Sequence, residues 1–520
     1  MQNQVATTNQ EGQIAFPMPD ASASHPPGLR VIFFTEMWER FSYYGMRSLL
    51  VLYLVNALGY QRGDALALYG IYTGLVYLTP IYGGAIADKY LGKRRALVIG
   101  AVLMVLGHFC MAFEPLLHLA LGLLIIGNGF FKPNSTSLVG DLYSVDDPKR
   151  TGGYSIFYMG INLGAFLAPL IAGTLGETFG WHYGFACAGI GMTLGVTQLL
   201  AGQAKLGRAG LMEDQEPVGK KDIIPLLIWI VLSFIGVITV VYGWTLVKPL
   251  LDGLSSIQRI ILELLVFSLT LLYLLRSSPP HAHLHDDEVP NTNLETVQKN
   301  LAMTKADWAK VIGIVIVMVF VIVFWTGFEQ AGGTMSLFAD QNTQREWFGM
   351  TIPASVFQAI NPALIVLLAP VFSMLWLRLE KTKYAPNDVA KQALGMMVLG
   401  LGFIIMAKAQ VLSDQFGKVG PHWLFMVFAV HTLGELMLSP VGLSMVSRVS
   451  PAKLSALLMG VWMLSSAIAG YLAGSLEALL KQTDFTLYPF LATISIGAGF
   501  ILLLLSPYLN QLMQTTEKSP

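Results

Sequence analysis

Residues 31–54 read VIFFTEMWERFSYYGMRSLLVLYL. The stretch is long and apolar enough to cross a bilayer as a helix, yet it carries Glu36, Glu39, Arg40 and Arg47. An ionisable side chain inside a membrane helix costs at least ~2.5 kcal/mol on insertion scales, so four in one span call for a reason. Glu36 and Arg40 are four apart and share a helical face, with Glu39 a residue's turn away. A carboxylate and a guanidinium so placed form either a proton-sensitive switch or a structural pair that only neutralises buried charge.

The rest of the chain fits a membrane setting. Of 520 residues, 54% are hydrophobic and only 12% charged, and mean hydropathy is +0.59, far more apolar than a soluble domain. The formal net charge is zero, so no global field argues for nucleic acid. Cys110 and Cys187 both lie in apolar runs and read as buried thiols rather than a disulfide framework. Residues 1–29 are polar, lack the plan of a cleavable signal, and read as a disordered cytoplasmic tail.

Apolar runs between Gly, Pro and charge clusters place spans at 30–56, 65–88, 95–113, 116–140, 153–178 and 182–202. After a polar connector come two plain hydrophobic runs, 223–247 and 256–276. Six more follow at 308–336, 353–378, 389–409, 422–447, 455–480 and 486–512. The expected organisation is a tail (1–29), a six-helix bundle (30–202), a linker with two inserted transmembrane helices (203–307), a second six-helix bundle (308–512) and a cytoplasmic tail (513–520). Fourteen crossings put both termini on one side. With the N-terminus inside, roughly 22 Lys/Arg fall in cytoplasmic segments against roughly 7 outside, so both termini are expected in the cytoplasm.

The halves echo each other: Trp38, Phe41 and Gly45 recur as Trp325, Phe328 and Gly332. An all-α fold of two repeated bundles is the plan of the major facilitator superfamily, whose substrate site lies near the midplane between bundles. The stretch GGAIADKYLGKRR after the second span resembles that superfamily's short cytoplasmic motif, in which Asp88 would act in gating. An ordinary basic turn is the plainer alternative.

Further polar groups sit in the spans. GNGFFKPN places the ammonium of Lys132 near mid-helix beside Pro133, where it needs an anion, either a substrate carboxylate or a neighbouring Glu. FYMGINLG puts Tyr158 and Asn162 on one face, as substrate contacts or helix-to-helix glue. FWTGFEQAG supplies Glu329 and Gln330, HTLGELMLSPVG supplies Glu435, and Trp462 can wall a cavity. Helix position suggests that Arg47 pairs with Asp340 to close the outer mouth. One wall then offers Arg40 and Lys132 to a carboxylate, and the opposite wall offers Glu435 to an ammonium. A zwitterion with a spacer fits that polarity, and short peptides are such zwitterions.

These motifs together, EMWERFSYYGMR, GGAIAD, GNGFFKPN, FYMGINLG, FWTGFEQ and GELMLSPVG, resemble the proton-coupled oligopeptide transporter family over about Val31 to Leu512. The two inserted helices match its bacterial members. The resemblance implies proton-driven import of di- and tripeptides across the bacterial inner membrane by alternating access, with no enzyme activity and no cofactor. It makes Glu36, Glu39 and Arg40 the proton-coupling group, with Arg40 and Lys132 also receiving the peptide carboxylate. Asn162 and Glu435 match positions that hold the peptide amino terminus. Tyr43, Tyr77, Trp325 and Trp462 resemble cavity walls, and Arg47 an outer gate cation. Glu329 is a further candidate substrate contact.

Two rivals share the scaffold: a carrier of nitrate or another organic anion, and a non-transporting receptor. An anion would not need Glu435, and opposed charges across a midplane suit no passive pore. The run His281-x-His283-x-His285-Asp286-Asp287-Glu288 reads as a solvated linker rather than a metal site.

Overall fold

The computed structural model describes residues 24–144, 147–212, 223–224, 227–238, 304–347, 349–383, 385–451, 454–481 and 483–514, together with 7–8 and 14–15. The second inserted span, the part of the first beyond residue 238 and the His281–Glu288 run lie outside the described residues.

The first half comprises α1 (Pro27–Asn56), α2 (Arg62–Ile86), α3 (Lys93–Cys110), α4 (Leu117–Asp141), α5 (Arg150–Ala168), α6 (Thr174–Phe179) and α7 (Trp181–Ala201). A π-helical turn at Pro169–Gly173 joins α5 and α6 into one span. A helix over Leu227–Ile238, α8, lies against α4, where a Cβ on Gly122 would fall 2.3 Å from Val237 Cγ1. The second half comprises α9 (Lys305–Phe328), α10 (Thr334–Gln341), α11 (Ile360–Leu379), α12 (Asp388–Phe416), α13 (His422–Val449), α14 (Ser455–Leu480) and α15 (Leu487–Gln514). Two-residue strands pair at Glu346–Trp347 with Met350–Thr351, and at Thr7–Thr8 with Ile14–Ala15.

Local chemistry explains the ends. Pro27 takes the first position of α1, where its missing N–H costs nothing. Thr304 and Asp307 form a reciprocal capping box that starts α9, at 3.1 Å in each direction. Among the described residues ten helices are long and apolar enough to cross a membrane. α1, with its five charges, and α3, which opens on Lys93, Arg94 and Arg95, fall outside that set but pack with the others.

One span departs from expectation. The sequence reads as a continuous helix over 308–336, whereas α9 stops at Phe328, a 3-10 turn covers Glu329–Gly332, and α10 begins at Thr334. The Gly332-Gly333 pair, with Gly333 at φ −107° and ψ −103°, lets the chain leave the helix there.

The sequence echo is physical. Trp38 and Phe41 meet edge to face at 5.7 Å and 82°, and Trp325 and Phe328 do the same at 5.3 Å and 85°. The third members diverge: Gly45 packs on Ala172, while Gly332 lies against Tyr69 of the other half. The halves meet most closely along α2 and α14, where a Cβ on Gly70 would fall 2.8 Å from the Gly474 Cα. Small residues let helices approach in this way where no hydrophobic effect drives them together.

Candidate functional site

The face of α1 that carries Glu36, Glu39 and Arg40 turns toward α4. Glu36 and Glu39 are fully buried and Arg40 nearly so. The expected i, i+4 pair is not the main one. Arg40 grips Glu39 with two parallel bonds, Nε to Oε2 at 2.5 Å and Nη2 to Oε1 at 2.6 Å, while Glu36 lies 3.8 Å from Arg40 Nε. The guanidinium can fold back onto its neighbour because its forked geometry matches a carboxylate edge. Glu36 belongs instead to α4: it accepts from the Lys132 ammonium and from the Ser135 hydroxyl, the latter at 2.8 Å. Of the two anions that sequence allowed Lys132, the structure chooses the neighbouring Glu.

Two cations and two carboxylates thus compensate each other, with both carboxylates buried and Lys132 reaching the cavity. Protonating either carboxylate breaks the balance and leaves a cation in search of a new anion.

Arg40 and Lys132 border a cavity of about 300 Å³ between the halves. Of the sequence candidates, Arg47, Tyr77, Tyr158, Asn162, Trp325, Glu329, Glu435 and Trp462 line it as well. Tyr43 does not. It is buried behind Arg40, whose guanidinium carbon stands 4.7 Å from the ring centroid, and its neighbour Tyr44 takes the cavity position. Consecutive helix residues point about 100° apart, so only one of this tyrosine pair can face inward.

On the far wall, Glu435 of α13 accepts from Asn361 Nδ2 at 2.7 Å, and the same amide reaches Thr432 Oγ1 at 3.0 Å. Asn361 and Gln358 escaped the sequence reading. The signal for Asn361 was an amide followed by Pro362 at the start of an apolar run. Gln358 stands on a 3-10 segment, Ala354–Ala359, and donates to Ser336 at 2.8 Å.

Across the end of the molecule where α1 finishes, polar ties join the halves. The expected Arg47–Asp340 pair is absent. Arg47 donates instead to Glu329 Oε2 at 2.5 Å and to Tyr69 Oη at 2.8 Å. The 3-10 break at Glu329 brings that carboxylate to Arg47, so Glu329 lines the cavity as half of an ion pair. Asp340 accepts from Asn56 at 2.9 Å and from Arg345 at 2.7 Å. Arg62 of α2 pairs with Glu477 of α14 at 2.8 Å. Glu177 of α6 accepts from the backbone N–H groups of Ala354 and Ser355, both at 2.7 Å, so one half caps a helical segment of the other.

At the opposite end, Asp88 is exposed on a π turn, Ala87–Leu91, beside Lys93 and Asp141, which pair at 2.7 Å. Asp388 and Arg448 pair in the second half. Both pairs stay within their own half.

Residues 94–495 match the POT family (PTR2). The chain is 36% identical to the uncharacterized transporter YclF of Bacillus subtilis over 94% of this chain and 95% of that one. It is 32% identical to a di-/tripeptide transporter of Lactococcus lactis, over 94% and 96%. A crystal structure of a peptide transporter, POT, in complex with alafosfalin superposes with a TM-score of 0.75 at 33% identity, covering 94% of this chain and 96% of that one. These relatives are transporters and not enzymes, and their match takes in the α1 motif that precedes residue 94. By sequence and by structure, the chain belongs to the POT family.

Proposed function

We propose that the protein imports di- and tripeptides together with protons, clamping the zwitterion between its halves. The observation that carries this reading is the polarity of the cavity: Arg40 and Lys132 on one side, and Glu435 with Asn361 on the other, around about 300 Å³. That volume is at the small end of ligand pockets and suits a short peptide. The peptide carboxylate goes to Arg40 and Lys132, and its ammonium to Glu435 and Asn162. Tyr44, Tyr77, Trp325 and Trp462 form the walls.

The coupling follows from the paired charges. A proton on Glu39 weakens its hold on Arg40, and a proton on Glu36 does the same for Lys132; the released cation then favours a substrate carboxylate. A coupling free energy of about 1–3 kcal/mol is typical of such linked binding. The membrane potential adds about 2.3 kcal/mol per charge per 100 mV to proton entry.

In this account the protein has fourteen crossings in a bacterial inner membrane, with both termini cytoplasmic. Arg47–Glu329, Arg62–Glu477 and the Glu177 cap then lie on the outer side, and the cavity is closed to the exterior. Asp88 is a gating residue of the inner side, placed to meet the second half when that side closes.

Competition for uptake of labelled dialanine tests the clamp. Free dipeptides should compete, whereas N-acetylated and C-amidated ones should compete at least about tenfold less well, the scale of one lost charged hydrogen bond. Equal competition by all three removes the zwitterion clamp, and competition by nitrate favours an anion carrier.

A further inference from the structure

Three side chains of α4 face the charged face of α1. They lie along one stripe at i, i+4 and i+7: Asn128, Lys132 and Ser135. Lys132 and Ser135 serve Glu36. Asn128 serves Arg40, whose Nη2 donates to Asn128 Oδ1 at 3.3 Å.

The orientation of that amide is fixed from behind. Asn128 Nδ2 donates to the Val76 carbonyl of α2 at 2.9 Å, so its oxygen must point at the guanidinium. The neighbouring glycines make the reach possible. A Cβ on Gly127 would fall 2.8 Å from the Gly100 carbonyl oxygen of α3, and one on Gly129 would fall 2.8 Å from Thr79 Cβ of α2. α4 is therefore wedged against both helices, with Asn128, 3% exposed, between them.

We propose that Asn128 is a positioning residue for Arg40, a neutral tether that holds the guanidinium at the cavity edge when its carboxylate partner is protonated. The proposal rests on the proton-coupled peptide reading. Glu39 is a charged acceptor whose bond to Arg40 weakens on protonation, whereas the Asn128 oxygen accepts in either state. Without it, a guanidinium released by Glu39 has rotamer freedom to lose again before it can meet a substrate carboxylate. With it, one nitrogen stays anchored and the others turn to the substrate. The charged and titratable groups around Arg40 are Glu36, Glu39, Tyr43 and Tyr44 on α1, Lys132 on α4 and Tyr72 on α2. None of the neutral ones is a second anchored acceptor for Arg40 in the hydrogen bonds described.

The test uses the purified full-length protein in proteoliposomes, with dialanine and its C-terminal amide as substrates over a range of external pH. Asn128→Ala should raise KM for dialanine about tenfold, keep kcat within about twofold, and leave the amide unaffected, because only the free carboxylate uses Arg40. Asn128→Asp places a second carboxylate beside Arg40, so the pH at which uptake peaks should move down. Equal losses for dialanine and its amide, or an unchanged KM together with an unchanged pH profile for Asn128→Asp, overturn the proposal. So does failure of both variants to fold, which would assign the residue to packing. If the unsubstituted protein shows no gradient-driven dipeptide uptake, the functional reading fails instead, and that outcome is distinguished by its own control.

Discussion

The two walls of the cavity solve the problem of buried charge in opposite ways. On the first-half wall, Glu36, Glu39, Arg40 and Lys132 form a compact set in which each charge has an opposite within one bond. On the second-half wall, Glu435 has an amide as its partner, Asn361 at 2.7 Å. A self-compensated set can change its net charge by one proton and redirect a cation, which suits energy coupling. A carboxylate held by a neutral donor is incompletely compensated, and an arriving ammonium completes it. In the proposed mechanism the first wall is the one that switches, and the second the one that receives the substrate ammonium.

Substitutions that break one wall at a time separate these roles. The largest effect is expected for Lys132→Ala. It leaves Glu36 with Ser135 as its one hydrogen-bond donor and Arg40 3.8 Å away, and takes away the proposed anchor for the substrate carboxylate, so gradient-driven accumulation of dialanine should fall to background in proteoliposomes. Accumulation at the unsubstituted level would take Lys132 out of the mechanism. Glu435→Gln should act on the other wall and less severely, raising KM for free dipeptides by about tenfold or more while N-acetylated peptides, which carry no ammonium, change little. A matching loss for both kinds would count against an amino-terminal contact. The smallest effect is expected from Glu177→Gln, which touches neither wall. It weakens the cap on Ala354 and Ser355, worth about 1 kcal/mol for a typical helix cap, and should shift the resting population severalfold toward an outward-open form. Labelling of a cysteine introduced at Ser355, buried behind that cap, by a membrane-impermeant maleimide should then accelerate; an unchanged rate would show that the cap does not hold the outer mouth.

Much of this was legible in the sequence because membrane helices announce themselves by length and apolarity. The expected spans 422–447 and 65–88 correspond to α13 at His422–Val449 and to Arg62–Leu91. Charged side chains in such runs are costly enough to be conspicuous, which is why Glu36, Arg40, Lys132 and Glu435 could be chosen before any geometry. Pairing was harder to read. Helix position alone matched Arg47 with Asp340, but the 3-10 break after Phe328 moves Glu329 onto Arg47 and leaves Asp340 to Arg345. Helical spacing matched Arg40 with Glu36, while the long, forked side chain reached Glu39 instead. The choice between Tyr43 and Tyr44 depended on helix rotation, which sequence does not give. Asn361 and Asn128 stayed hidden because an amide costs less to bury than a charge and stands out less in an apolar run.

The most direct test of the account is uptake of labelled dialanine by the purified protein in proteoliposomes, with and without an inward proton gradient. The account predicts accumulation above equilibrium only with the gradient, competed by unlabelled dipeptides but not by free alanine or nitrate. Folded protein that accumulates no dialanine under a gradient would contradict it.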